Sequence, residues 1–189
     1  MAQKRKDWNG LISGFKASDL VFLDESGCNT DMTRQYAYSL GGSRAVDSAP
    51  LSKPKNTTIL SSIQLDGTLR YTTFSGGTTV ERFKRYLETD LLPHLNGNSV
   101  LIMDNMKSHH ARAVRNLLDS SEVRCIYLPP YSPDLNPIEK LWSKVKSFLR
   151  KFKARTLDAL LNAIQCAFQT VSPSDCSGWF HSCGYSPYF

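Results

Sequence analysis

Two short apolar runs, each closed by an aspartate, constrain this chain most. Leu20-Val21-Phe22-Leu23 runs into Asp24, and Val100-Leu101-Ile102-Met103 runs into Asp104. Uninterrupted apolar runs of this length fit strands covered on both faces. A carboxylate at the C-terminal end of such a strand opens into the crevice where α/β sheets take their ligands. A third acid, Glu139, follows the block Leu128-Pro129-Pro130-Tyr131-Ser132-Pro133-Asp134-Leu135-Asn136-Pro137 and opens a basic amphipathic helix. Two strand ends and one helix start can bring three carboxylates to one point. Hard divalent cations such as Mg²⁺ take oxygen ligands of this kind. Two of them, about 3.5–4 Å apart, stabilise the attacking and leaving oxygens of a phosphoryl displacement.

Each acid also has a plainer reading. Asp24, followed by Glu25-Ser26-Gly27, could be a turn residue after a strand, and so could Asp104 before Asn105. Glu139 is the third residue after Asn136, where a glutamate can bond back to a helix cap and favour the helix dipole. The joint arrangement favours a site: two acids end the two most apolar strands, and the third opens a helix with a basic solvent side.

Along the chain, residues 1–19 are polar and weakly patterned and read as a flexible lead-in. Strands are expected over Leu20–Leu23, Tyr36–Leu40, Thr57–Leu65 and Leu69–Phe74, with Asp66-Gly67 as a hairpin turn and residues 43–56 as a loop. Thr78 with Glu81 makes a capping box, and Val80, Phe83, Leu87 and Leu91 have helical spacing. After the Val100–Met103 strand, Ser108 is placed to cap a helix in which Ala111, Val114, Leu117 and Leu118 face inward. A strand over Val123–Leu128 follows. Asn136 is then the expected N-cap, with Pro137 at the first helical position. Ile138, Leu141, Trp142, Val145, Phe148, Leu149 and Phe152 form the stripe of that helix. Thr156 caps another helix, and the tail from Ser172 onward reads as aromatic and turn-rich. Strands in a meander followed by alternating helices and strands imply an α/β fold, a mixed sheet flanked by helices.

The formal charge of +6 favours an anionic partner. It concentrates in Lys140, Lys144, Lys146, Arg150, Lys151, Lys153 and Arg155, a segment with no acid to form compensating ion pairs along the helix. A phosphate backbone would compensate it, so a nucleic acid is the expected partner; Arg34, Arg44, Lys53 and Lys55 are candidates to extend the surface. Asn105, His109 and His110 are candidate accessory residues beside Asp104, and Tyr131 and Trp142 candidates for base stacking, Trp142 being placed by its stripe in the core. The five cysteines are odd in number and form no C-x-x-C pair, which argues against a disulfide framework or zinc knuckle. No apolar run is long enough for a membrane span, and the basic start has no apolar segment of a secretory signal.

At these residues the chain resembles the catalytic domain of DDE transposases, in the bacterial insertion-sequence branch of the mariner superfamily. The likeness rests on Phe22-Leu23-Asp24-Glu25-Ser26-Gly27, on Leu101-Ile102-Met103-Asp104-Asn105, and on the Leu128-to-Glu139 block, with 34 residues between Asp104 and Glu139. Cys183-Gly184-Tyr185 is also similar to family C-termini. The resemblance implies a ribonuclease H-like fold over residues 20–189, with Asp24, Asp104 and Glu139 as the metal-binding catalytic triad. It further implies two Mg²⁺ ions (Mn²⁺ substituting), double-stranded DNA as the form of nucleic acid bound, cleavage at terminal inverted repeats, transfer of the freed 3′-hydroxyl into target DNA at TA sites, a homodimer on DNA, and action in the bacterial cytoplasm at the nucleoid. Family members normally carry helix-turn-helix domains before the first catalytic acid. Only 23 residues precede Asp24, too few for one such domain, so the chain reads as the second reading frame of a two-frame element, a truncated copy or a fragment, with a separate helix-turn-helix reading-frame product as a candidate partner. Two rival readings stay open: a catalytically incompetent DNA-binding relic or truncated copy, and a general ribonuclease H-like nuclease.

Overall fold

The computed structural model describes residues 2–34, 36–51 and 54–185. Five strands form one sheet: β1 (Leu20–Cys28), β2 (Thr57–Gln64), β3 (Leu69–Ser75), β4 (Val100–Met103) and β5 (Arg124–Tyr127), in the spatial order β3-β2-β1-β4-β5. The first three form an antiparallel meander, while β4 and β5 add in parallel beside β1. The helices are α1 (Ala2–Ile12), α2 (Val80–Tyr86), α3 (Arg112–Asp119), α4 (Ile138–Phe152), α5 (Leu157–Gln169) and α6 (Pro173–Ser182).

Side chains alternate across a strand, and this alternation divides the core into two layers. Leu20, Phe22, Val100 and Ile102 face a layer built with α4, α5 and α6. Val21, Leu23, Leu101 and Met103 face a layer built with α2 and α3. Over the four residues where β1 and β4 pair, both strands are therefore apolar at every position, as the unbroken runs required. The mixed sheet flanked by helices is ribonuclease H-like.

Several elements depart from the sequence reading. Residues 2–12 of the expected flexible lead-in are helical, and Trp8 is buried with its indole N–H donating to Tyr185 Oη at 3.2 Å. One large aromatic side chain docks this helix, so no long amphipathic stripe advertises it. β1 does not stop at Leu23. Its parallel ladder with β4 ends there, but the antiparallel ladder with β2 continues to Cys28, so Asp24 lies inside a strand. Tyr36–Leu40 forms no strand; Tyr36, Tyr38 and Leu40 stand exposed. α2 is capped by Thr79 rather than Thr78 and passes into a widened turn over Leu87–Leu91. α3 begins at Arg112, not behind Ser108, because the intervening turn carries His109 inward. Pro137 takes the cap position of α4 where Asn136 was expected.

The turn-rich tail contains α6, opened by Pro173 behind a capping box in which Ser172 and Asp175 bond each other's backbone N–H. Such a cap is worth about 1 kcal/mol. All five cysteines are free, in agreement with their odd count. No helix among the described residues is long and apolar enough to cross a membrane. Lys53 and residues 186–189 lie outside the described residues.

Candidate active site

The parity of the strands builds this site. Phe22 faces the α4 layer, and Asp24, two residues on, points the same way. Leu23 pairs with Met103 in the parallel ladder, so Asp24 and Asp104 are the next residues of two adjacent strands. Glu139 arrives from the first turn of α4. All three line one cleft of about 570 Å³, together with Glu25, Asn105 and the Leu128-to-Ser132 segment. The three carboxylates thus share a cleft as expected, but they stand on its separate walls: among the described residues no three acids, histidines or cysteines are drawn into a group tight enough to hold an ion. The donor chemistry, three carboxylates lining one open cleft, fits a hard divalent cation.

Asp24 is 8% exposed. Its Oδ1 accepts the Glu25 N–H at 2.8 Å, and its Oδ2 accepts the Trp142 indole N–H at 3.1 Å. Burial pushes its carboxyl up to about 7; the backbone bond opposes this, the neighbouring Glu25 charge adds to it, and the indole bond and the more distant Asp104 charge act in opposite senses. Trp142 therefore packs in the core, as its stripe predicted, and also fixes a catalytic candidate, which periodicity does not reveal. Trp142→Phe keeps most of the packing and removes the donor. Cleavage is expected to fall about 10–100-fold, the usual effect of losing support behind a metal ligand, with stability lower by about 1–3 kcal/mol. Single-turnover kinetics and thermal unfolding would measure these; unchanged cleavage would remove Trp142 from the site.

Asp104 is held differently. Its Oδ1 accepts the Met106 N–H at 3.0 Å and lies 3.0 Å from His109 Nδ1. Partial burial raises its pKa, but the bonds from His109 and Met106 outweigh that and leave it below the usual carboxylate range. His109 has no exposed surface; its Nε2 lies 3.2 Å from Glu25 Oε1 and its ring stacks on Phe83 at 4.3 Å. Burial opposes a charged ring, yet bonds to Asp104 and Glu25 prevail and push its pKa up to about 10. His109 thus sits behind Asp104, out of reach of a phosphate in the cleft. His110 stacks on Tyr127, with Nε2 3.3 Å from Asn105 Oδ1, and Asn105 donates to the Leu128 carbonyl at 2.6 Å. These contacts tie the end of β4 to the end of β5.

Glu25 was read only as part of a turn. It is a fourth carboxylate on the cleft wall, bonded to His109 through one oxygen while the other, Oε2, is buried with no partner among the described residues. Only its place beside Asp24 could have drawn notice in the sequence. Glu139 stands in the first turn of α4, where its charge favours the helix dipole, but no bond from its side chain to the helix cap is formed among the described residues. Tyr131 lies at the rim, 87% exposed, with a positive φ of 55°, a backbone conformation that a bulky residue rarely takes.

The basic run is only partly available. Lys144 Nζ lies 2.6 Å from Asp175 Oδ2, Lys153 pairs with Asp47, and Arg155 donates to the Thr30 and Met32 carbonyls. The expectation of an uncompensated charge run is corrected for Lys144 and Lys153, whose acidic partners come from distant segments; Arg155 is held by carbonyls and, among the described residues, keeps its charge uncompensated. Lys140 and Lys151 are exposed, while Lys146 and Arg150 are half-buried in a second pocket.

A carboxylate-lined cleft at the switch from antiparallel to parallel strands in a ribonuclease H-like sheet defines a nuclease-type catalytic domain. The family described as DDE superfamily endonuclease matches residues 19–161, and this chain belongs to it. Among curated proteins, the chain is 29% identical over 97 residues to the transposable element Tc1 transposase of Caenorhabditis elegans. It is 33% identical over 75 residues to the insertion element IS630 uncharacterized 39 kDa protein of Shigella sonnei. These matches cover 49% and 39% of the chain, and 36% and 22% of those proteins. Its fold is similar to a pre-cleavage Mos1 transpososome, with a TM-score of 0.81 at 19% identity, covering 97% of this chain and 59% of that one. It is also similar to the catalytic domain of Mos1 mariner transposase, with a TM-score of 0.73 at 18% identity, covering 96% and 86%. Mos1 paired-end complexes with Mn and with Mg share the fold at TM-scores of 0.79 and 0.75, at 21% and 17% identity, covering 95% and 96% of this chain and 58% of each of those chains.

Proposed function

We propose that this chain is the catalytic domain of a DNA transposase, cutting at the terminal inverted repeats of an element and joining the freed 3′-hydroxyl to target DNA. The observation that carries the reading is the convergence of Asp24, Asp104 and Glu139, from two strands and a helix, on one cleft in a chain of the DDE superfamily endonuclease family. The three would hold two Mg²⁺ ions, with Mn²⁺ able to substitute. Bound there, such ions supply Lewis-acid stabilisation of the attacking and leaving oxygens. The chain supplies geometry: Trp142 and the Glu25 N–H orient Asp24, His109 and the Met106 N–H orient Asp104, and Glu139 closes the cleft from α4. In the first step a water oxygen bonds to phosphorus and the P–O3′ bond breaks, leaving a 3′-hydroxyl and a 5′-phosphate. In the second, that 3′-hydroxyl bonds to a target phosphorus and displaces the target's own 3′-hydroxyl, at a TA site.

DNA contact is assigned to Lys140, Lys146, Arg150 and Lys151, with Tyr131 displayed toward bases at the rim and Lys144 and Lys153 serving mainly structural pairs. The chain spans about a third or less of the curated relatives it matches. Repeat recognition is assigned to a separate helix-turn-helix part acting beside it. The large apolar side chains exposed between β1 and β2, from Tyr36 to Leu51, support self-association on DNA, since isolated domains rarely leave such groups uncovered. The bacterial nucleoid is the proposed place of action.

Substrate choice separates the readings. Offered a terminal-repeat duplex and an RNA–DNA hybrid, with Mg²⁺ and the helix-turn-helix part supplied in trans, the chain is expected to cut the repeat ends. Preference for the hybrid would favour a general ribonuclease H-like nuclease; failure on both, with DNA binding intact, would favour a relic.

A further inference from the structure

We infer that a second pocket, at the far end of β1 and α4 from the carboxylates, is a phosphate seat for a DNA strand leaving the catalytic cleft. This rests on the nuclease reading above. The pocket, about 380 Å³, is lined by Lys146 and Arg150 from α4, by Gly27 and Asn29 around the end of β1, and by Asn56 just before β2.

The cations of α4 sort by partner. Lys144 and Lys153 are paired with Asp175 and Asp47. Lys146 and Arg150 have no ion-pair partner among the described residues, although both are half-buried and open on one pocket. Two cations drawn together in a partly desolvated pocket repel unless an anion lies between them. Asp31 is the one acid in the lining, which leaves the pocket net positive. The floor is polar. The Asn56 amide crosses Gly27 so closely that a Cβ there would meet it at 3.0 Å. Asn29 Oδ1 is buried without a partner, and a half-turn of that amide replaces the orphan acceptor with donors. Guanidinium, ammonium and amide N–H groups are the donors that phosphate oxygens take.

Two independent rulers place the pocket relative to the chemistry. Along β1, Gly27 and Cys28 lie three and four residues beyond Asp24, about 10–13 Å at strand rise. Along α4, Lys146 and Arg150 lie seven and eleven residues beyond Glu139, about 10 and 16 Å at helical rise. At 100° per residue they fall about 20° to either side of Glu139, so acid and cations share one face of the helix. With about 3.4 Å of rise per nucleotide along one strand, the seat meets a phosphate about three to five nucleotides from the scissile one.

The test uses the full chain and the double variant Lys146→Gln, Arg150→Gln, with Lys84→Gln on α2 as a surface control and Lys146→Arg, Arg150→Lys as a charge-retaining variant. Binding of a labelled duplex is followed by anisotropy against salt. The double Gln variant is expected to bind about tenfold more weakly and to lose about one to two units of the log–log salt slope, near 0.9 per phosphate contact. The control and the charge-retaining pair should hold the wild-type slope.

Methylphosphonates placed three to five nucleotides from the reacting phosphate then remove single charges, in the element strand in one arm and the target strand in the other. A loss in wild type that is absent in the double Gln variant assigns the seat to the strand of that arm. A wild-type slope in the double Gln variant, with methylphosphonates silent in both arms, overturns the seat alone. A wild-type chain that binds no DNA overturns the seat together with the nuclease reading.

Discussion

Asp104→Asn is expected to abolish metal-dependent DNA cleavage while leaving the domain folded. Asn keeps the oxygen that accepts the Met106 N–H and faces His109, so the turn after β4 retains its bonds. The side chain of Asp104 is 42% exposed, so the amide stays in reach of water, and Glu25 remains to face the buried His109 ring. What disappears is the anionic oxygen open to the cleft. Supporting residues behind a metal ligand typically cost 10–100-fold, so loss of the ligand itself should exceed about 100-fold. The measurement is single-turnover cleavage of a pre-bound duplex, with thermal unfolding as the folding control. Activity within tenfold of wild type would remove Asp104 from the centre.

The second large effect is on stability, at Asp24. A carboxyl whose folded pKa stands at about 7, above its unfolded value near 3.9, binds more protons folded than unfolded between those values. Its contribution to stability is full below the unfolded pKa and is lost as pH rises through about 7. Without divalent ions, the wild-type domain should therefore weaken against Asp24→Asn between pH 5 and pH 8, by about 2–3 kcal/mol, or about 4–12 °C in Tm for a chain of this size. Comparing the two pH values cancels the hydrogen bond that Asn cannot reproduce toward Glu25 N–H or Trp142. Saturating Mg²⁺ should restore the wild type at pH 8, by about 2.7 kcal/mol at a hundred times Kd, and do little for the variant. A wild-type-to-variant difference that is flat in pH would contradict the buried, protonatable Asp24.

The parts of this site that were legible in the sequence are those written locally. Val100–Met103 is a strand as expected, because burial on both faces demands an unbroken apolar run. Asp24, Asp104 and Glu139 announce themselves by standing where such runs and a helix stripe begin or end. The Glu25–His109–Asp104 bridge and the Trp142–Asp24 bond were not legible, since both join residues far apart in sequence and depend on which face of β1 each side chain takes. The charge of α4 was overread for the same reason: Asp47 and Asp175 neutralise Lys153 and Lys144 from other segments. The first helix shows the converse: contacts with distant residues, Trp8 to Tyr185, Arg5 to Asp134 and Ile12 against the core, hold a helix in a stretch without an amphipathic stripe, while Tyr36–Leu40 has strand-like residues but no neighbouring strand among the described residues.

The central claim is a metal-dependent phosphodiester-cutting centre at Asp24, Asp104 and Glu139. Its most direct test is nicking of a labelled duplex carrying the flanking terminal repeats, in Mg²⁺ and in Mn²⁺, with wild type beside Glu139→Ala and the helix-turn-helix part supplied in trans. The account predicts cuts at the repeat ends that require the metal, leave 3′-hydroxyls and vanish in Glu139→Ala. Cleavage that survives in Glu139→Ala, or proceeds equally in chelator, would contradict it.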